Sequence, residues 1–356
     1  MLPLVGIITA LWFSYLAVRP EFSGLLADAY IYLLIAAGIE HLGAGATDPA
    51  LSFLFAHYPF PPLFPMLLAA TGAGPDQPAW TYAVNASVLG LAMLFLAYWY
   101  RQLGMPRTVA ALLVLVIAAL PAVWLTAMDV QSEPLYLTLS AACLLALGRD
   151  PKPAWRVAGL ACGLAVITRT VGIALLAIFL IDWWRRGRRS DLTPILVALG
   201  PIATWSVIRL AFGFDASYLA VDQALLGDSP SALFPVIKTN ALALATYGVR
   251  SFDLSGQAYA QIVIATLGGI ALLEYLNRLR CSKPDAWYVT CYLSLILCWP
   301  YPYHARRFLL MILPLLMGYA VLFAYRMCRS RVSVTVTLGA TCSVIALFAL
   351  TSLPST

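Results

Sequence analysis

Long apolar stretches succeed one another almost without pause along this chain, separated by short loops that hold most of its charge. Of its 356 residues 62% are hydrophobic and 11% charged, against about 25% charged in an ordinary soluble domain. One core cannot enclose so many apolar side chains, because single cores stop growing near ~250–300 residues. A bilayer must therefore act as part of the solvent. The stretches are continuous rather than alternating, which excludes a β-barrel and leaves helices. The expected fold is all-α: a polytopic transmembrane bundle of about eleven spans, forming a single integral membrane domain over residues 1–356.

Charge sets the expected topology. The net charge is +6, but in a membrane protein the position of each Lys and Arg matters more than their sum, so nucleic acid is not an implied partner. Five short loops (101–107, 149–156, 185–191, 278–283 and 326–331) hold 15 of the 22 basic residues. By the positive-inside rule all five are cytoplasmic, and even numbers of crossings must separate them. The spans then fall near 2–18, 80–100, 108–125, 134–148, 157–168, 171–184, 192–211, 257–277, 286–299, 308–325 and 332–352. Residues 2–18 are kept as a span rather than a cleaved signal, since no basic region precedes them. The apolar run 157–184 must fold into two short helices, which puts Arg169 at an outer turn in a recess. Eleven of the 16 acidic residues fall on the outer side, in loops near 19–79, 126–133, 212–256 and 300–307.

Few outer residues are suited to chemistry. The first outer loop, residues 19–79, carries Asp28 early in an apolar segment, 25–38, that is too short to span and should lie in the membrane interface. Asp28 reads either as a first-turn acid complementing the helix dipole or as a carboxylate poised as a general base. The segment from His57 to Pro65 has four prolines in residues 59–65, and a stiff, extended lip is expected there. Ser132-Glu133-Pro134 reads as a helix start, with Ser132 as N-cap. His304, Arg306 and Arg307 stand just outside a span. Headgroup snorkelling accounts for such arginines, but outer arginines run against the positive-inside bias, and with Arg169 they suggest a phosphate ligand gripped bidentately. Lys238 and Arg250 are read as solvated. The seven cysteines form no close pair in sequence, the three histidines lack metalloprotease spacing, and no metal site is expected. Asn85-Ala86-Ser87 matches a glycosylation sequon but falls inside a span.

In order, these segments resemble the lipid-linked-sugar glycosyltransferases of the GT-C superfamily, especially members similar to protein O-mannosyltransferases and the aminoarabinose transferases of lipid A. The likeness rests on Asp28-Ala29-Tyr30 heading an interfacial helix, on Tyr58 to Leu68, on Ser132-Glu133-Pro134-Leu135, on Gly159 to Gly172 with Thr168-Arg169-Thr170, and on Arg307-Phe308-Leu309-Leu310 with Pro314. It covers residues 20–190 well and 300–320 less well. Many relatives carry paired acids in the first loop; here Ala29 and Tyr30 follow Asp28, which would act alone.

The resemblance implies transfer of a sugar from a polyprenyl-phosphate donor to a hydroxyl of a glycan, lipid or protein acceptor, with inversion, on the outer face of a bacterial inner membrane as part of cell-envelope chemistry. It implies Asp28 as the base and Arg169, His304, Arg306 and Arg307 as the phosphate-binding groups, with Tyr58 and Glu133 in support. No cofactor is required, and a divalent metal stays open. The alternative from another class is a transporter or flippase for an anionic lipid or solute, motivated by the same arginines. A third is a non-enzymatic membrane subunit.

Overall fold

A computed structural model describes residues 1–17, 27–41, 60–74, 76–149, 153–186, 191–212, 233–250, 258–299 and 305–328. Among these residues all regular structure is helical. The order is α1 (Leu2–Ala17), α2 (Ala27–Glu40), α3 (Leu63–Ala70), α4 (Pro78–Gln102), α5 (Arg107–Ala119), α6 (Pro121–Ala127) and α7 (Glu133–Leu147). There follow α8 (Trp155–Val166), a 3-10 turn (Thr170–Gly172), α9 (Ile173–Arg186), α10 (Thr193–Phe212), α11 (Leu233–Arg250), α12 (Ala258–Arg280), α13 (Pro284–Leu297) and α14 (Ala305–Cys328). Three of them, at Pro78–Gln102, Thr193–Ala211 and Arg307–Met327, are long and apolar enough to cross a membrane by length and composition; several shorter apolar helices accompany them. The expected run 332–352 lies outside the described residues.

Local chemistry explains where the helices break. The run 108–125 is two helices rather than one, because Pro121 cannot continue α5 and forces Leu120 into an extended conformation, φ −66° and ψ 133°. The stiff lip also needs correction. Pro62 takes the N-cap position of α3, and Pro65 is accommodated in the first helical turn, where a missing N–H removes no intrahelical bond. The segment is therefore helical from Leu63. The region 212–256, expected as loop, contains α11.

Residues 155–186 fold as expected into two short helices around an extended Arg169, φ −152° and ψ 139°. Glycine is required at the turn: a Cβ on Gly172 would sit 2.4 Å from the carbonyl oxygen of Ala165. On the next face, α8 rests directly on the backbone of α10. A Cβ on Gly163 would lie 2.2 Å from the carbonyl oxygen of Ala198. The rest of α10 is largely exposed, with Leu196, Val207 and Leu210 facing outward.

The core runs between α1, α4, α7, α8, α9, α13 and α14, filled by Phe13, Met93, Tyr136, Phe179, Tyr292 and Tyr319 among others. The interior of α14 holds Pro314, whose carbonyl accepts a 2.7 Å hydrogen bond from Tyr100. Cys143 and Cys162, 19 positions apart in sequence, meet across α7 and α8 with sulfurs 3.3 Å apart, both free. At the end of the bundle away from Glu133, Asp285 on α13 binds Arg278 of α12 at 2.6 and 2.7 Å and Tyr319 of α14 at 2.7 Å. Glu274 there receives Arg326 at 2.7 Å.

Candidate functional site

Two of the expected arginines converge on one acid. Arg169 Nη1 lies 2.6 Å from Glu133 Oε1, and Arg307 Nε lies 2.7 Å from the same oxygen. Three separate segments supply this cluster: the first residue of α7, the turn after α8 and the first turn of α14. Glu133 is fully buried, whereas the arginine side chains keep 13% and 24% of their surface. The Arg169 guanidinium also stands over the Phe308 ring, 5.4 Å from its centroid, a favourable cation–π position. Two cations and one anion leave a net charge of +1.

Glu133 lies just ahead of the apolar run 134–148. Burial alone would raise its carboxyl, but the adjoining Arg169 and Arg307 outweigh that and hold it down at about 2. Its other oxygen, Oε2, is buried and has no hydrogen-bond partner among the described residues.

The interfacial segment is tied to the cluster through Tyr32 of α2. Its hydroxyl shares a 2.9 Å hydrogen bond with Ser132 Oγ, which also accepts from Arg169 Nη1 at 3.3 Å. Burial pushes the Tyr32 phenol up to about 12, so it stays neutral. Ser132 occupies the N-cap position of α7 but makes no side-chain cap bond; its hydroxyl serves the cluster instead, which corrects the capping expectation. Tyr32 also packs edge-on against Phe60 and Phe64, at 5.4 and 5.2 Å. From α3 the amide of Leu63 donates to the carbonyl of Ile167 at 3.0 Å, two residues before Arg169.

The remaining expected residues separate clearly. Asp28 is the second residue of α2, one helical turn ahead of Tyr32. Arg306 belongs to the first turn of α14 beside Arg307. His304 and Tyr58 lie outside the described residues. Lys238 sits exposed on α11. Among the described residues no group of three or more His, Cys, Asp or Glu side chains is arranged to hold a metal ion.

Tyr32 and Phe308 were missed as site residues in the sequence. A signal existed for the first, since Asp28 and Tyr32 stand at i and i+4. No protein-family model matches the chain, and no curated protein sequence shows a significant match. Chemically, the cluster offers preorganised guanidinium donors held in fixed positions by a shared carboxylate, with one positive charge left for an anion.

Proposed function

We propose that the chain is a membrane glycosyltransferase of the GT-C kind, moving a sugar from a polyprenyl-phosphate donor to an acceptor hydroxyl. The reading includes about eleven spans, a bacterial inner membrane and an outward-facing site. The observation that carries it is the Arg169–Glu133–Arg307 cluster, joined through Ser132 to Tyr32 on the same short helix as Asp28.

The chemistry is a single displacement. The acceptor hydroxyl attacks the anomeric carbon, its proton passes to Asp28, and the bond from that carbon to the phosphate oxygen breaks. The lipid phosphate departs with one more negative charge than it carried as a diester. Guanidiniums that bind it therefore gain strength in the transition state, the condition for lowering a barrier rather than merely binding substrate. Glu133 supports this by fixing both arginines before the substrate arrives, while leaving the cluster cationic. The lipid tail would run along the apolar flank of α2 and α3.

The deciding experiment supplies radiolabelled polyprenyl-phosphate sugar to the purified chain in vesicles with soluble and lipid acceptors. Transfer to an acceptor is expected. Movement of the intact lipid across the bilayer without transfer would replace this reading with transport, and neither result would favour a non-enzymatic subunit.

A further inference from the structure

We infer that Asn85 and Asn240 are positioning residues for the arginine–glutamate cluster, each gathering the end of one helix that borders the cluster and so holding a site residue in register. The inference rests on the cluster being the working site.

The two asparagines do the same thing on unrelated helices. Asn85 of α4 is fully buried, and its Nδ2 donates to the carbonyls of Thr126, Ala127 and Asp129 at 3.1, 3.3 and 2.9 Å. Asn240 of α11 is 2% exposed, and its Nδ2 donates to the carbonyls of Ile296 and Leu297 at 3.2 and 3.0 Å and to that of Trp299. In both cases a single amide collects three carbonyls where a helix stops. The last carbonyls of a helix have no intrahelical partner and repel one another, so one central donor fixes the end of the helix in place.

Each of these helix ends borders the cluster. Beyond the Asn85 contact, Gln131 binds the Asp129 carboxylate, and the next two residues are Ser132 and Glu133. Beyond the Asn240 contact, the Trp299 ring packs edge-on against Phe308 at 5.7 Å, and Tyr292 of α13 donates to the Phe308 carbonyl at 3.0 Å. Phe308 follows Arg307 and lies beneath Arg169. One asparagine thus sets the carboxylate half of the ion pair and the other sets the guanidinium half.

The test follows phenylglyoxal modification of Arg307 by peptide mass spectrometry on the full chain in lipid nanodiscs, using Arg326, paired with Glu274 at the opposite end, as internal reference. Asn85→Leu and Asn240→Leu should each raise the Arg307-to-Arg326 rate ratio about three- to tenfold, because either change loosens the Arg307–Glu133 pair that shields Arg307. The double variant should gain little beyond the larger single effect, since both act on one pair. Gly159→Ala, whose added Cβ would meet the Pro194 carbonyl where α8 rests on α10, touches neither Arg307 nor Arg326 and should destabilise the chain while leaving the ratio unchanged. An unchanged ratio in the folded asparagine variants, or equal acceleration at both arginines, would overturn the inference. If the Leu variants do not fold, Asn85→Ser and Asn240→Ser are read by the same ratio. Binding of a short-chain isoprenyl phosphate, measured in parallel, should weaken five- to twentyfold in the same variants. Failure of the wild-type chain to bind that phosphate would count against the proposed function, while the ratio would still decide the role of the asparagines.

Discussion

Arg307 reaches Glu133 across 174 positions of sequence, its Nε donating to Oε1 at 2.7 Å. The same oxygen takes Arg169 at 2.6 Å. A carboxylate shared in this way does two opposed things: it makes burial of two guanidiniums tolerable, and it removes half of their charge from any incoming anion. The geometry therefore favours a ligand of low charge, and it makes Glu133 as important to the fold as to binding.

Replacing Asp28 by Asn tests the proposed base. Expression and thermal stability should be retained, while transfer falls by about 10²–10⁴-fold, the usual contribution of a positioned general base. Normal transfer by this variant would remove Asp28 from the mechanism.

Arg307→Ala should weaken binding of an isoprenyl phosphate by roughly tenfold or more, the worth of a charge-assisted hydrogen bond. Lys238→Ala, an exposed change on α11, should leave affinity as it was. Titration of both variants against the same phosphate makes the comparison, and equal losses would indicate a diffuse basic surface in place of a site.

Acid should unmake the cluster in a defined window. Glu133 is held at about 2, below its ordinary 4.5, because Arg169 and Arg307 outweigh the effect of burial. A carboxyl depressed by folding contributes its full stabilisation above the unfolded value and loses it as pH falls through the folded one. The melting temperature of the wild-type chain should therefore approach that of Glu133→Gln between about pH 4.5 and about pH 2, and the gap should be constant above about pH 5. A gap that persists undiminished at the acid end would mean the carboxyl is not held by the arginines.

Gly172→Ala probes the turn that carries Arg169. The added Cβ would meet the Ala165 carbonyl at 2.4 Å, so the turn must shift, at a cost of about 1–3 kcal/mol for an overpacked site. Circular-dichroism melting should register the loss, and transfer should fall in the fraction that remains folded. An unchanged melting temperature would show that the turn yields freely.

Much of the helical layout was legible in the sequence because hydropathy and proline act locally. The basic loops at both ends of 157–184 forced a turn at Arg169, and that is where the chain turns. Other features depend on what lies opposite in space. Ser132-Glu133-Pro134 reads as a cap in isolation; only the arrival of Tyr32 and Arg169 turns the serine toward the cluster. The prolines near Leu63 suggested extension, yet a first helical turn tolerates them, so the residue count before the next proline mattered more than their density. Asn85 was visible only as a sequon, because its three carbonyl partners lie more than 40 positions away. The approach of Cys143 to Cys162, only 19 positions on, was hidden because it depends on how α7 packs against α8.

The bond from the Leu63 amide to the Ile167 carbonyl joins main chain to main chain, and this makes it indifferent to side-chain identity. Substitution at either position leaves the tether intact, with proline at 63 the sole exception, since it alone deletes the donor. The Arg169 turn and the α3 segment of the first outer loop can therefore diverge in sequence and still travel as one piece, which gives this corner of the molecule a mechanical constancy that comparison of sequences would not register.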